Sequence, residues 1–206
     1  MISLLILNSK STNLSYQHYH TSGLILSSRD VGEADRLYDI FTERFGRITA
    51  LAKSVRQLKS KLRYQLRDWQ LVKLSLVRGK NVWRIVYTES RAGATLGQER
   101  ERVLGRWLKL LDRLVVDEGR RPSVWREVWQ AYFFLQTESL APAALADYEL
   151  LASLRLLEAL GYCEVPRSCA IFGVGTPWLA TPLDQVSPHR DSITAVVEEA
   201  LYHSHL

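Results

Sequence analysis

Cysteine is nearly absent from this 206-residue chain: only Cys163 and Cys169 occur, and two thiols so placed do not resemble the dense spacing of a secreted disulfide scaffold. A reducing cytoplasm is the expectation. Long apolar runs are missing too. Nothing approaches 18 apolar residues in a row, and the apolar opening Met1–Leu7 is too short for a membrane span and lacks the basic region and cleavage pattern of a signal peptide. The chain is therefore expected to be soluble and cytosolic. No Walker A loop, G-x-S-x-G elbow or H-E-x-x-H is present, which speaks against an ATPase or hydrolase.

Acidic residues are lacking in one stretch in particular. From Lys53 to Arg63 the sequence KSVRQLKSKLR carries Lys53, Arg56, Lys59, Lys61 and Arg63 without a carboxylate. Each of these cations can displace a condensed counterion from a phosphate; a merely solvated face is the alternative. The formal net charge of +5 is divided unevenly along the chain. Thr21 to Arg91 holds 15 basic and 7 acidic residues, whereas Ala92 to Leu206 holds 11 and 15. Such an asymmetry suggests a polyanion-facing domain joined to one with a different task. A hydrophobic fraction of 47% suits one ordinary domain or two small ones with real cores.

Residues 1–18 show little periodicity and read as an N-terminal extension. From Thr21 short strands follow: Leu24 and Leu26 around Ile25, then Arg36–Thr42, Arg47–Lys53 after a turn at Gly46, Trp69–Arg78 and Val82–Thr88. Arg78-Gly79-Lys80-Asn81 reads as a hairpin turn. In the strand after it, Trp83, Ile85 and Tyr87 fall on one apolar stripe, opposite Val82, Arg84 and Val86. Five strands in this span suggest a Greek-key OB barrel, with an SH3-like barrel as the alternative.

After Arg91 the period moves toward 3.6. Helices are expected over Leu96–Val116, from Pro122 through Leu135, and from Pro142 to a C-cap at Gly161. The Pro- and Gly-bearing stretch 162–190 reads as loop, followed by a last helix over Asp191–Leu201. The fold class is thus α+β and multi-domain. An OB-fold β-barrel at 19–92 precedes an α-helical bundle domain at 93–206, the loop-rich segment 162–190 lying within the latter. Trp107, Trp125, Trp129, Phe133 and Phe134 are assigned mostly to the helical core, with an exposed subset available to a partner.

Arg29-Asp30-Val31-Gly32-Glu33-Ala34-Asp35-Arg36-Leu37 is similar to the N-terminal signature of the RecO family of recombination mediators. Phe41-Thr42-Glu43-Arg44-Phe45-Gly46-Arg47-Ile48, Ala52-Lys53 with its basic run, the Leu71–Trp83 hairpin with Arg78-Gly79, and Leu156-Leu157-Glu158-Ala159-Leu160-Gly161-Tyr162 continue the resemblance. The resemblance implies an OB domain, a helical domain and no catalytic activity. It further implies binding of single- and double-stranded DNA and annealing of complementary strands. RecR and single-strand-binding protein are the implied partners in loading RecA, within a cytoplasmic, nucleoid-associated protein. Many members carry a four-cysteine zinc site opening with C-x-x-C-G; here Cys169-Ala170-Ile171-Phe172-Gly173 stands there, with Phe172 in place of the second thiolate. Cys163, Cys169 and His189 would leave a four-ligand site incomplete. No zinc is expected, with Ile171, Phe172 and Trp178 packing in its stead.

The residues assigned to DNA are Lys53, Arg56, Lys59, Lys61 and Arg63, followed by Lys73, Arg78, Lys80 and Arg84, with Tyr64 as a base-stacking candidate. Trp69 and Trp83 are expected to fill the small barrel. His18 and His20 share a side of an extended segment, but two imidazoles make a poor metal site. Asp30, Glu33 and Asp35 are read as structural, with Asp30 and Gly32 in a turn and Glu33 or Asp35 pairing with Arg29 or Arg36. An RNA-binding or ribosome-associated OB module and a protein-interaction scaffold remain as other readings.

Overall fold

The structure is a computed structural model that describes residues 17–90, 96–178 and 183–204. Residues 1–16 of the extension expected at 1–18 lie outside the described residues, and His18 already belongs to the first strand. Five strands are present: β1 His18–Val31, β2 Asp35–Thr42, β3 Gly46–Ala52, β4 Leu71–Arg78 and β5 Trp83–Ser90. They close in the order β1-β2-β3-β5-β4, and β4 returns to β1. All pairings are antiparallel except β3 with β5. This is the OB order.

Sequence alternation explains the barrel interior. In β3, Gly46, Ile48, Ala50 and Ala52 are buried while the residues between them are half-buried, as a period of two requires. Ile25, Tyr38, Ile40, Val72, Leu74, Leu76, Trp83 and Ile85 complete the interior together with Val55 and Leu66 from the β3–β4 loop. The alternation expected for β5 does not persist. Ser75 stands opposite Tyr87 but Leu76 opposite Ile85, so Val86 is an extra residue in β5. A bulge of this kind turns the following side chains over: Tyr87 is 61% exposed, and Thr88 is buried in its place.

The helices are α1 Gln98–Leu114, α2 Pro122–Thr137, α3 Pro142–Leu160 and α4 Val186–His203. Pro122 and Pro142 open α2 and α3, positions where a missing N–H costs nothing. Gly161 closes α3 in the left-handed conformation, φ 81°. The last helix begins at Val186 rather than Asp191, because Pro188 falls in its first turn, where proline is tolerated. Part of the stretch read as loop is also a 3₁₀ helix, Arg167–Phe172. Trp107 and Phe134 are buried as expected, but Phe133 is 52% exposed, its ring stacked on Trp129 at 5.8 Å.

Barrel and helices share one apolar cluster. Leu24, Leu26, Phe41 and Leu71 point outward from the barrel into the core built by Trp107, Leu111, Val128 and Leu151, and the Phe41 and Trp125 rings lie 5.8 Å apart. Trp69 belongs here and not in the barrel: it packs against Gly105 of α1, where an added Cβ would come within 2.9 Å of its ring. Polar contacts reinforce the seam. Arg47 pairs with Asp112 at 2.8 Å, and the Gly119 N–H donates to the Phe45 carbonyl at 3.0 Å.

Gly46 lies at the centre of this junction. Its φ is +67°, and a Cβ there would meet the Gly119 carbonyl. Gly46→Ala is expected to lower stability by about 2 to 4 kcal/mol, the left-handed backbone and the overpacking adding together. Gly97→Ala, with open space around the new methyl, is expected to change it by less than about 0.5 kcal/mol. Urea unfolding of the two variants checks this, and equal midpoints would contradict it.

Candidate functional site

The signature turn and the basic run form one unit. The Asp35 carboxylate accepts the Ser54 N–H at 2.8 Å, which holds Ser54 in a left-handed conformation, φ 54°. The Arg56 N–H donates to the Ala34 carbonyl at 3.0 Å, and its guanidinium donates to the Gly32 carbonyl at 3.1 Å. Asp30 pairs with Arg36 at 2.7 Å and with Arg56 at 3.4 Å. The Arg36 guanidinium holds the Asp30 carboxyl below the usual carboxylate range. Asp30 and Asp35 thus act structurally, yet their partners are Arg36, Arg56 and a backbone N–H across the loop. Val55 and Leu66 enter the barrel core, and Lys61–Tyr64 coils into a 3₁₀ helix. The run is an ordered loop anchored near both ends, with its cations outside.

Of the nine cations assigned from sequence, Arg56 is held by Asp30 and the other eight divide into two groups. Lys53, Lys59, Lys61, Arg63 and Lys80 are exposed and Arg84 is half-buried; among the described residues none of the six forms an ion pair. The parallel pairing of Leu51 with Arg84 sets Arg84 beside β3, whose last residue, Ala52, precedes Lys53. Arg63 and Arg56 line one hollow with Arg36 and Tyr38 of β2. Tyr64 is 64% exposed. The other group is neutralised. Lys73 pairs with Glu89 at 3.7 Å, and Arg78 pairs with Glu118 at 2.6 Å while lying over the Trp83 ring. Lys73 faces a different and larger hollow of about 730 Å³, which also holds His20, Arg44 and Arg120 with Glu43 and Glu89. His18 contacts the Ser75 hydroxyl at 3.4 Å, and among the described residues no third His, Cys, Asp or Glu joins the two histidines in a group suited to a metal.

Sequence reasoning missed the polar hub on the outer face of β1–β3. Asp39 is buried, accepts hydrogen bonds from Thr49 at 2.5 Å and Arg29 at 2.8 Å, and lies 3.9 Å from Arg47. Burial pushes its carboxyl up, but the Thr49 hydroxyl and the Arg47 and Arg29 guanidinia outweigh this and leave it below the usual carboxylate value. The polar alternation of Arg47 and Thr49 in β3 was the available signal. Arg36, read from the sequence only as an ion-pair partner, was the other residue not assigned to the site.

Comparison with known proteins bears on this site. The family model for the recombination protein O N-terminal region matches residues 17–91, the whole of the barrel. The DNA repair protein RecO of Nocardioides sp. (strain ATCC BAA-499 / JS614) is 31% identical over 167 residues, 75% of this chain and 64% of its own length. The protein of the same name from Bifidobacterium longum (strain DJO10A) is 27% identical over 167 residues, 77% of this chain and 67% of its own. The chain belongs to the RecO family. Another relative, from Heliobacterium modesticaldum (strain ATCC 51547 / Ice1), is 32% identical over 154 residues, 73% of this chain and 54% of its own length. The chain thus spans two thirds or less of these RecO relatives.

The segment of this RecO-family chain that the resemblance aligned with a zinc site is organised by other groups. Cys169 is buried, and the Cys163 thiol is pushed up to about 11 by burial and by the nearby Glu158. Among the described residues no cluster of three His, Cys, Asp or Glu suited to a metal occurs, and two thiols do not fit a four-ligand zinc site. Buried Arg155 donates to the Phe172 carbonyl at 2.9 Å, to the Thr176 carbonyl at 3.0 Å and to the Thr176 hydroxyl, and lies over the Trp178 ring. Glu158 accepts the Val174 N–H at 2.5 Å. Phe172 is buried and Trp178 packs on the core, but Ile171 is 47% exposed. Ile171 therefore does not take the packing role expected of it, since the 3₁₀ turn points it outward while Phe172 turns in.

Asp39→Asn is expected to cost about 2 kcal/mol at neutral pH, the loss of charged hydrogen bonds. The Asp39 carboxyl is depressed in the folded state, so its contribution is present above its unfolded value, about pH 4, and is lost as pH falls through the folded value. Stability of the variant should therefore fall less steeply on acidification. Denaturation curves between pH 7 and pH 2 check the slope, and parallel curves would contradict the assignment.

Proposed function

We propose that this chain is a non-enzymatic nucleic-acid-binding mediator acting in DNA repair and recombination. The observation that carries the reading is the set Lys53, Lys59, Lys61, Arg63, Lys80 and Arg84, unopposed by carboxylates and borne by one OB barrel. Each contact with a phosphate releases a counterion and favours binding without regard to sequence, and exposed Tyr64 is available to stack on a base. Two complementary strands held on such a surface repel one another less, so pairing is assisted without nucleotide hydrolysis. Lys73 and Arg78 contribute less, because Glu89 and Glu118 already neutralise them. Arg56 acts mainly by fixing the loop.

The partners belong to the same proposal. Single- and double-stranded DNA bind the barrel, while the helical domain, with exposed Phe133 stacked on half-buried Trp129, engages single-strand-binding protein. Together with RecR the chain helps to load RecA. Its place is the cytoplasm, at the nucleoid. Among the described residues no helix is long and apolar enough to cross a membrane. Zinc plays no part, because Arg155 takes over the organisation of the 172–178 segment.

Two sets of measurements test this. Complementary oligonucleotides mixed with the protein without ATP should anneal faster than alone. The triple variant Lys59→Ala, Lys61→Ala, Lys80→Ala should bind single strands more weakly, with a salt slope smaller by about 0.7 per lost contact. A preference for RNA would favour the RNA-binding module, and no binding the interaction scaffold. In the second set, metal analysis of the purified chain should find no zinc, and Arg155→Met should destabilise the helical domain by about 3 kcal/mol. One equivalent of tightly held zinc would overturn that assignment.

A further inference from the structure

We propose that the hollow between β2 and the β3–β4 loop, walled by the guanidinia of Arg36, Arg56 and Arg63, is a built seat for a single phosphate group. The hollow has a volume of about 230 Å³, and Tyr38 and Val55, both buried, form its floor. Three guanidinia meet there and, among the described residues, only one carboxylate, Asp30, pairs with any of them, bridging Arg36 and Arg56. The Asp68 carboxylate also acts on the Tyr38 floor, so the three guanidinia keep a net excess of one positive charge, still suited to a phosphate.

Geometry strengthens the charge argument. Arg36 and Arg56 do not have to be ordered by the ligand, because Asp30 already holds both and the Gly32 carbonyl holds Arg56 a second time at 3.1 Å. The Arg56 backbone is itself tied to Ala34. A preordered fork loses little side-chain freedom on binding, which is the usual drain on a charged contact. Arginine forks also match phosphate oxygens in pairs, as lysine does not. Arg63 supplies the third arm from the 3₁₀ helix, exposed and without an ion-pair partner among the described residues. The larger hollow beside Lys73 lacks these properties, since Glu43 and Glu89 line it along with the cations.

The assignment rests on the polyanion reading above, in which the phosphate is that of a nucleic-acid strand. It narrows that reading, because a seat fixes one phosphate in place where scattered lysines fix none. The phosphate has two possible sources: a terminal phosphomonoester or an internal phosphodiester.

The test uses the full chain labelled with ¹⁵N-arginine, with the Nε–Hε signals of Arg36, Arg56 and Arg63 followed by NMR. Inorganic phosphate is titrated first, then octathymidylate with and without a 5′-phosphate. Inorganic phosphate should shift the three signals saturably. Arg63→Gln should weaken that response by about tenfold, roughly one lost charged hydrogen-bonding arm, and Arg56→Lys should weaken it while keeping the Asp30 pair. Lys109→Gln, which removes the same charge from an exposed position on α1, should leave it unchanged. A terminal phosphate in the seat gives tighter binding of the 5′-phosphorylated strand, an advantage lost in Arg63→Gln. An internal phosphate gives equal binding of both strands, weakened equally by Arg63→Gln. Signals that inorganic phosphate does not move, with oligonucleotide affinity unaltered in Arg63→Gln, would overturn the seat and leave nucleic-acid binding standing. Saturable phosphate binding without oligonucleotide binding would support the seat and defeat the nucleic-acid reading.

Discussion

Strand β1 is apolar on both faces where it crosses the middle of the molecule, and the architecture depends on that. Ile25 points into the barrel while Leu24 and Leu26 point out into the helical core. Together with Phe41 and Leu71, these outward side chains supply on the order of 10 kcal/mol of gross burial energy before the entropy of ordering is set against it. The seam also explains the glycines at Gly46 and Gly105, which let the Gly119 backbone and the Trp69 ring approach. Because the seam is wide and apolar, the helices hold a fixed position against the barrel and cover part of its outer surface, with Asp112 reaching Arg47.

What the seam leaves uncovered is the end of the barrel where the signature turn meets the β3–β4 loop. Carboxylates do two different things around this barrel. Asp30 and Asp35 fix the basic loop by taking Arg36, Arg56 and the Ser54 N–H, and so present Lys59, Lys61 and Arg63 on an ordered frame. Glu89 and Glu118 instead neutralise Lys73 and Arg78. A surface is therefore polarised by acids as much as by bases: a compensated side, and a side with unpaired positive charge able to attract a polyanion.

In the helical domain, Arg155 and Glu158 bind the backbone of the 172–176 segment much as a metal would gather a loop. The guanidinium supplies several donors in a fixed plane and converges on carbonyls, so a loop can be organised without thiolates. It also needs the Trp178 ring over it, which links the loop to the Phe134 and Tyr148 rings behind.

Much of this was legible in the residues. The period-two pattern of β3 and β4, the hairpin at Gly79, the prolines opening α2 and α3 and the glycine closing α3 are local signals. They act through neighbouring dihedrals and alternate faces, and the linear order carries them intact. The unopposed basic run was equally plain. Tertiary structure alone decided which cations stayed free, because Arg78 and Glu118 are 40 residues apart and meet only through the seam. It decided that Tyr87 faces outward, since the bulge at Val86 appears only when β5 pairs with β4. It likewise decided that Trp69 serves the junction and Trp83 the barrel, and that Arg36, Arg56 and Arg63 share one hollow. In each case the determinant is a contact between residues distant in sequence: composition and period report what a residue prefers, and only the packed chain reports what it meets.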